Sequence, residues 1–220
     1  MRKLAVINHF QGQVDWIKDL KFEHILYNKF DPQIDSQYWK TGQENTQEYY
    51  KRLFSIPNYL EIMKPVSTHI PNLVSNVGHD AFTFFTHIIN HYDDLADVTV
   101  FLHSTPFHHY HGDNFVGMLN GITEIIDFED YGTSMVADVN GEPTDRCPVG
   151  VVFSQLFPDH EVPESFTFTS GSLFSVSRSA ILRKSKAFYE QCKGISETEP
   201  LAPWAFERLY RTIFTIETKP

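Results

Sequence analysis

The chain has 220 residues, with 28 acidic against 18 basic side chains and a formal net charge of -10. That length fits one large domain able to bury a core without disulfide or metal staples, and the acidic balance excludes non-specific nucleic-acid binding, which needs a basic footprint. Two cysteines without metal-type spacing, Cys147 and Cys192, and the lack of a signal-type or membrane-length apolar run predict a cytoplasmic protein without a structural disulfide.

Leu4 to Asn8 reads as a short strand. Asp15 to Leu20 reads as one or two helical turns with Trp16, Ile17 and Leu20 inward, and His24 to Tyr27 as a second strand. Strand, short helix, strand opens a parallel α/β sheet, with the loops after both strands on one edge. Residues 31 to 64 are polar and irregular, with a helix expected near Gln47 to Phe54 and a short strand near Leu73-Val74.

The best-patterned element is the helix from Asp80 to Tyr92, with Phe82, Phe85, Ile89 and Tyr92 on one face. Val98 to Leu102 is a buried-type strand, followed by a His-rich loop from His103 to Asp113 and a helix predicted over Met118 to Phe128. Residues 129 to 165 are rich in Gly and Pro, with one apolar strand at Val149 to Phe153. Phe166 to Val176 reads as a strand pair, or one bent strand interrupted at Gly171. Ser179 is expected to cap a helix that runs to Lys193 and stops at Gly194. A last helix starts at Pro203 and buries Phe206, Leu209, Tyr210 and Ile213.

Asn76-Val77-Gly78 precedes the patterned helix. Gly78 permits a tight backbone, and the free N–H groups of the helix start suit an anion; a plain helix-capping loop is the alternative. His103, His108, His109, His111 and Asp113 offer imidazoles and a carboxylate of the kind zinc takes, and this loop supports a metal-dependent hydrolase as an alternative function; a polar substrate loop is the other reading. Trp39 is a candidate stacking platform, whereas Phe82 and Phe85 read as core.

The order of motifs resembles inverting glycosyltransferases of the GT-A fold. Asn76, Gly78, Ala81 and Thr83 match an Asn-x-Gly segment and the helix after it, and Phe101-Leu102 match the strand end. A closer resemblance is to an uncharacterised bacterial and fungal family with a glycosyltransferase-like domain, through Tyr27-Asn28-Lys29, Asn76-Val77-Gly78, Ala81, Thr83, Tyr92-Asp93 and Leu95. His79 and Asp80 stand where that family has Arg and Glu, and His103-Ser104 where it has Gln-Gly. Ser170 to Arg178 resembles the Gly-rich strand, ending in Ser-Arg, beside the acceptor site of GT-A enzymes.

The resemblance implies one α/β domain of GT-A type over residues 1–220, with a mixed, mainly parallel sheet and helices on both faces. It implies sugar transfer from a nucleotide-sugar donor to an acceptor hydroxyl. Glu207 is the implied base, with a surface i,i+4 pair to Arg211 as the alternative. Asn8, Asn28, Lys29, Asn76, Asp80, His103, Arg178 and Arg208 are expected on the donor side, and Ser170, Gly171 and Trp204 on the acceptor side. Metal-dependent relatives hold manganese or magnesium with two Asp at the strand end, where this chain has His103-Ser104-Thr105. Transfer without metal is then expected, with Lys29, His79, Arg178 or Arg208 as the cation, unless a metal ligand comes from elsewhere. A binding module without catalysis is the remaining alternative.

Overall fold

The computed structural model describes residues 1–9, 14–28, 67–69, 79–110, 112–144, 146–199 and 201–216. The expectations for Lys29, Trp39, Gln47 to Phe54, Leu73-Val74, Asn76 to Gly78 and His111 lie outside these residues.

A six-stranded sheet forms the centre. Its strands are β1 (Lys3–His9), β2 (Glu23–Asn28), β3 (Ser67–His69), β4 (Val98–His103), β5 (Phe128–Asp130) and β8 (Phe174–Ser177). They lie in the order β3-β2-β1-β4-β8-β5. The first four are parallel, whereas β8 runs antiparallel to both β4 and β5. A two-stranded sheet of β6 (Ser134–Asp138) and β7 (Ser165–Thr169) accompanies it. The fold is α/β with a mixed, mostly parallel sheet.

Side chains of β1 alternate between two apolar layers, as the period of a strand requires. Leu4 and Val6 enter the larger core with α1 (His79–Asn90), α3 (Val149–Leu156), α5 (Lys186–Thr198) and α6 (Ala202–Thr215). Ala5 and Ile7 enter the smaller one, with Trp16 and Ile17 of the 3-10 turn Asp15–Asp19 and with Phe115 and Leu119 of α2 (Phe115–Asn120). Both faces of the parallel strands are therefore covered, which explains their near-continuous apolar sequence.

Helix α1 departs from the expected one-sided pattern. Every residue from Ala81 to Ile88 is buried, while Ile89 and Tyr92 are only half-buried. The helix packs on β1 and β4 and also on α5 and α6, so it has no wide solvent face. Two of the polar residues inside it are tied to strand residues: Thr83 Oγ1 donates to Asn8 Oδ1, and Tyr27 Oη pairs with His87 Nδ1 at 2.9 Å.

Several expected boundaries are corrected. The segment after the His-rich loop is helical only over Phe115–Asn120, because Asn114 caps it through Gly117 N–H and the Gly121 N–H closes its last turn; Phe128 opens β5 instead. Val149 to Phe153 is not a strand. Val149, Val152, Phe153 and Leu156 fall at i, i+3, i+4 and i+7 and form the buried stripe of α3. The two strands around Gly171 pair in different sheets, not with each other. The expected helix from Ser179 is two helices, α4 (Arg178–Leu182) and α5, capped by Ser177 and Ser185, and Gly194 lies inside α5. Cys147 and Cys192 are buried and form no disulfide. No described helix is long and apolar enough to cross a membrane.

Candidate functional site

The chain turns back on itself between β1 and β4. From β1 it moves outward through β2 and β3, then returns to place β4 on the other side of β1. Open α/β sheets bind ligands at the carboxyl ends of the two strands that flank such a reversal. Those ends are Asn8 and His103, which face each other in register.

Asn8 is 5% exposed. Its Oδ1 accepts from Thr83 Oγ1 at 2.6 Å and its Nδ2 donates to Asp80 Oδ1 at 2.5 Å. The end of β1 is thereby tied to the first turn of α1, and the Asp80 carboxylate is fixed at a helix N-terminus, where the macrodipole favours it. Asn8 positions Asp80.

Asp80 lines a cleft of about 330 Å³ including its open mouth, with His79, Ser172, Pro203, Trp204 and Glu207. Three separate segments meet there: the start of α1, the turn between β7 and β8, and the start of α6. His79 (φ 43) and Ser172 (φ 51) are the two non-glycine residues with positive φ among the described residues, and both line this cleft. Such backbones cost of order 1–3 kcal/mol each and persist where the surroundings over-determine them, most often at functional sites.

Glu207 is clamped from two sides. Its Oε1 accepts from the Gly171 N–H at 2.6 Å, and its Oε2 from Arg208 Nη1 at 2.9 Å. Two charge-assisted donors favour the ionised carboxylate. The same side chain lines the cleft. Gly171 is required here. It sits at φ 89, and a Cβ on it would lie 2.4 Å from His109 Cγ.

Arg208 does not reach the cleft. Its side chain is 0% exposed. Besides Glu207, it donates to Trp204 O (2.8 Å) and Thr144 Oγ1 (2.6 Å), and its guanidinium lies 4.7 Å from the centre of the Phe168 ring. It is a buried clamp on Glu207, not a cation on the donor. Trp204 meets the His79 ring at 4.7 Å between centroids and walls one side of the cleft.

His103 is neutral. Burial, aided by the neighbouring His109 and His108, pushes its imidazole down to about 3. Its Nδ1 accepts from the Thr105 N–H at 3.2 Å, which puts the ring proton on Nε2. That Nε2–H is buried and has no hydrogen-bond partner among the described residues. The strand end supplies a donor rather than a metal ligand pair: Ser104 O already accepts Trp16 Nε1, and His103 offers one imidazole. The residues here do not fit the manganese or magnesium site implied by the resemblance. Among the described residues, no group of three His, Cys, Asp or Glu is placed to hold a metal.

Of the other expected residues, Asn28 ends β2 on this carboxyl edge. Ser170 adjoins the β7–β8 turn, where its N–H donates to Thr133 O. Arg178 is not at the site. Val98 pairs with Ser177 and Phe101 with Phe174, so β8 carries the chain from the site edge to the opposite edge. There Arg178 N–H donates to Asp97 O and its side chain is exposed. Asp94 and Asp97 serve that same far edge by binding Arg2. Sequence reading missed Ser172, Pro203 and Thr144; the Ser-Gly-Ser turn was the available signal for Ser172, while Thr144 had none.

A family model described as a protein of unknown function, DUF3431, matches residues 35–125. The match covers less than half of the chain and includes α1, β4 and α2, hence Asp80 and His103. No curated protein matches, and no solved structure matches.

Proposed function

We propose that this protein is a glycosyltransferase that moves a sugar from a nucleotide-sugar donor to an acceptor hydroxyl. The observation that supports it best is the Glu207 carboxylate, clamped by the Gly171 N–H and Arg208 and lining a cleft at the carboxyl edge of the sheet. In this reading the acceptor hydroxyl donates to Glu207, which takes its proton as the oxygen attacks the sugar carbon. Attack opposite the leaving nucleotide diphosphate would invert that carbon. The departing oxygens would accept from the first N–H groups of α1 and from His103 Nε2–H, preorganised donors in place of a metal. Asn8 and Asn28 would flank the nucleotide. The order of motifs from Tyr27 to Glu207 supports the same assignment, and two buried cysteines without a disulfide are in keeping with a cytoplasmic location.

The clamp also favours a second reading, a nucleotide-sugar binding module without turnover, because hydrogen bonds to a carboxylate lower its basicity. A thermal-shift screen against nucleotide sugars, with and without manganese, joined to a transfer assay over an acceptor panel, separates the two. A ligand at about 100 times its dissociation constant adds roughly 2.7 kcal/mol of stability. Stabilisation with transfer supports the enzyme, and stabilisation alone supports the module. No stabilisation by any nucleotide sugar overturns both.

A further inference from the structure

The six-stranded sheet ends at β5, which pairs with β8 on one side only. Ser177 N–H donates to Asp127 O, and Tyr131 N–H donates to Leu173 O. Main-chain groups of an antiparallel pair alternate in direction. Asp127, Glu129 and Tyr131 therefore turn theirs toward β8, whereas Phe128 and Asp130 turn theirs outward. That outer edge is an open template for one more strand.

A groove of about 670 Å³ including its open mouth runs beside this edge, about twice the volume of the Glu207 cleft. It lies on the other face of the sheet. Phe128 packs on the larger core with α6, whereas Tyr131 and Ile122 pack on the smaller core with α2. Met118, Ile122 and Ile126 give the groove apolar walls, Glu124 and Glu129 give it charge, and no Lys or Arg lines it. Ile125 and Ile126 are 58% and 42% exposed. Two successive exposed isoleucines beside an apolar groove form a contiguous patch of the kind that meets a partner.

The charge says what that partner carries. Neither Glu124 nor Glu129 has an ion pair among the described residues. Burial above all keeps the Tyr131 phenol protonated. Its Oη donates to Glu129 Oε2 at 3.2 Å and accepts from Ser175 Oγ at 2.6 Å. A half-buried carboxylate held by one neutral donor gains from an incoming cation. A second copy of this chain, with a net charge of -10, is a poor match for an acidic groove.

We propose that the outer edge of β5 and its groove dock an extended, basic segment of another protein, which adds a strand to the sheet. Its main chain bonds to Phe128 and Asp130. On the groove face a Lys or Arg lays its stem along Ile122 and Ile126 and brings its charge to Glu124 and Glu129. The next residue of the segment faces the other way, beside Phe128, and is apolar. Strand addition of this kind takes affinity from the main chain and specificity from alternate side chains. The surface is separate from the Glu207 cleft, so the proposal does not depend on the transferase reading.

The test is fluorescence anisotropy of the whole protein with an end-capped hexapeptide of alternating Lys and Val. This peptide should bind, and its Glu-Val counterpart should bind at least about tenfold more weakly. A Lys-Val peptide methylated on alternate main-chain nitrogens keeps the charge but cannot complete the ladder, and it should lose binding. Glu124→Lys, at an exposed position, should weaken binding about tenfold; Glu129→Gln, which keeps a partner for Tyr131, should weaken it as well. Amide exchange at Phe128 and Asp130 should slow when the peptide is bound. No binding of the Lys-Val peptide overturns the proposal, as does equal binding of the methylated one or unchanged exchange at both amides. Binding of lysine amide as tight as that of the peptide overturns it in favour of a small-amine site. Self-association that competes with the peptide overturns it in favour of a second copy.

Discussion

Asn8 and Asp80, 72 residues apart in sequence, are joined by a single hydrogen bond from the Asn8 amide to the Asp80 carboxylate. That bond fixes the start of α1 against the end of the first strand, and through Asp80 it shapes one wall of the cleft. Asn8 is almost wholly buried, and its other amide atom is held by Thr83. Asn8→Ala leaves both partners without their bond inside the protein. We expect a loss of about 1–3 kcal/mol in urea unfolding and a weakened response to any cleft ligand.

Glu207→Gln keeps the shape and removes the charge. Transfer should fall by about 10²–10⁴-fold, the range for loss of a positioned base, while the thermal shift given by a bound nucleotide sugar stays nearly unchanged. Unaltered turnover would show that Glu207 is not the base.

Two arginines of this chain allow a paired comparison. Arg208 is buried with Glu207, whereas Arg183 meets Asp127 on a much more open surface. Arg208→Ala should cost about 3–5 kcal/mol, because it strands a part-buried carboxylate. Arg183→Ala should cost at most about 1 kcal/mol. Comparable losses in denaturant titrations would contradict the role of Arg208 as a clamp.

Acid should destabilise the protein through His87 as well as His103. Burial drives the His87 imidazole down to about 3, with help from His91 and Arg2. In the unfolded chain a histidine titrates near 6.5. The folded value is lower, so the unfolded state takes up the proton first. Stability is full above about 6.5 and falls with pH down to about 3. For one such group the loss between pH 7 and pH 5 is about 2 kcal/mol. His87→Gln can still accept from Tyr27 and should flatten the pH dependence of the unfolding free energy by about that amount.

Gly194 invites a stabilising change. It lies inside α5, and a Cβ there would meet nothing within 4 Å. Gly194→Ala should raise stability by about 0.5–1 kcal/mol, read as a higher melting temperature.

The sequence was most legible where one periodicity ran without competition. β1, β2 and β4 appear where expected because each is a short apolar run closed by polar residues, and α6 because its apolar positions repeat near 3.6 residues. α3 was read as a strand since Val-Gly-Val-Val-Phe is short and β-branched, and only the match of Leu156 to the stripe reveals the helix. β5 has three residues and β6 five, too few for a pattern amid the surrounding glycines.

Within the candidate site, Glu207, Asp80, Gly171 and Trp204 were found from the order of motifs, and the structure brings them together. Arg178 failed for a geometric reason. A strand advances about 3.4 Å per residue, so the four residues of β8 carry it about 13 Å from the Gly171 turn. Nothing local in the sequence distinguishes a turn that returns from a strand that crosses the sheet. The burial of Arg208 was equally hidden, because it depends on Thr144 and Phe168, which belong to other segments.

The cleft has walls drawn from α1, from the β7–β8 turn and from α6, and none of these walls is a unit that stands alone. Glu207 reaches Gly171 across 36 residues, and α6 forms much of the larger core. A fluctuation that lifts α6 therefore dissolves recognition and core packing together. Ligand-dependent hydrogen exchange should accordingly slow in α6, α1 and β8 as one cooperative block, so that occupancy of the cleft reports on the integrity of the whole molecule.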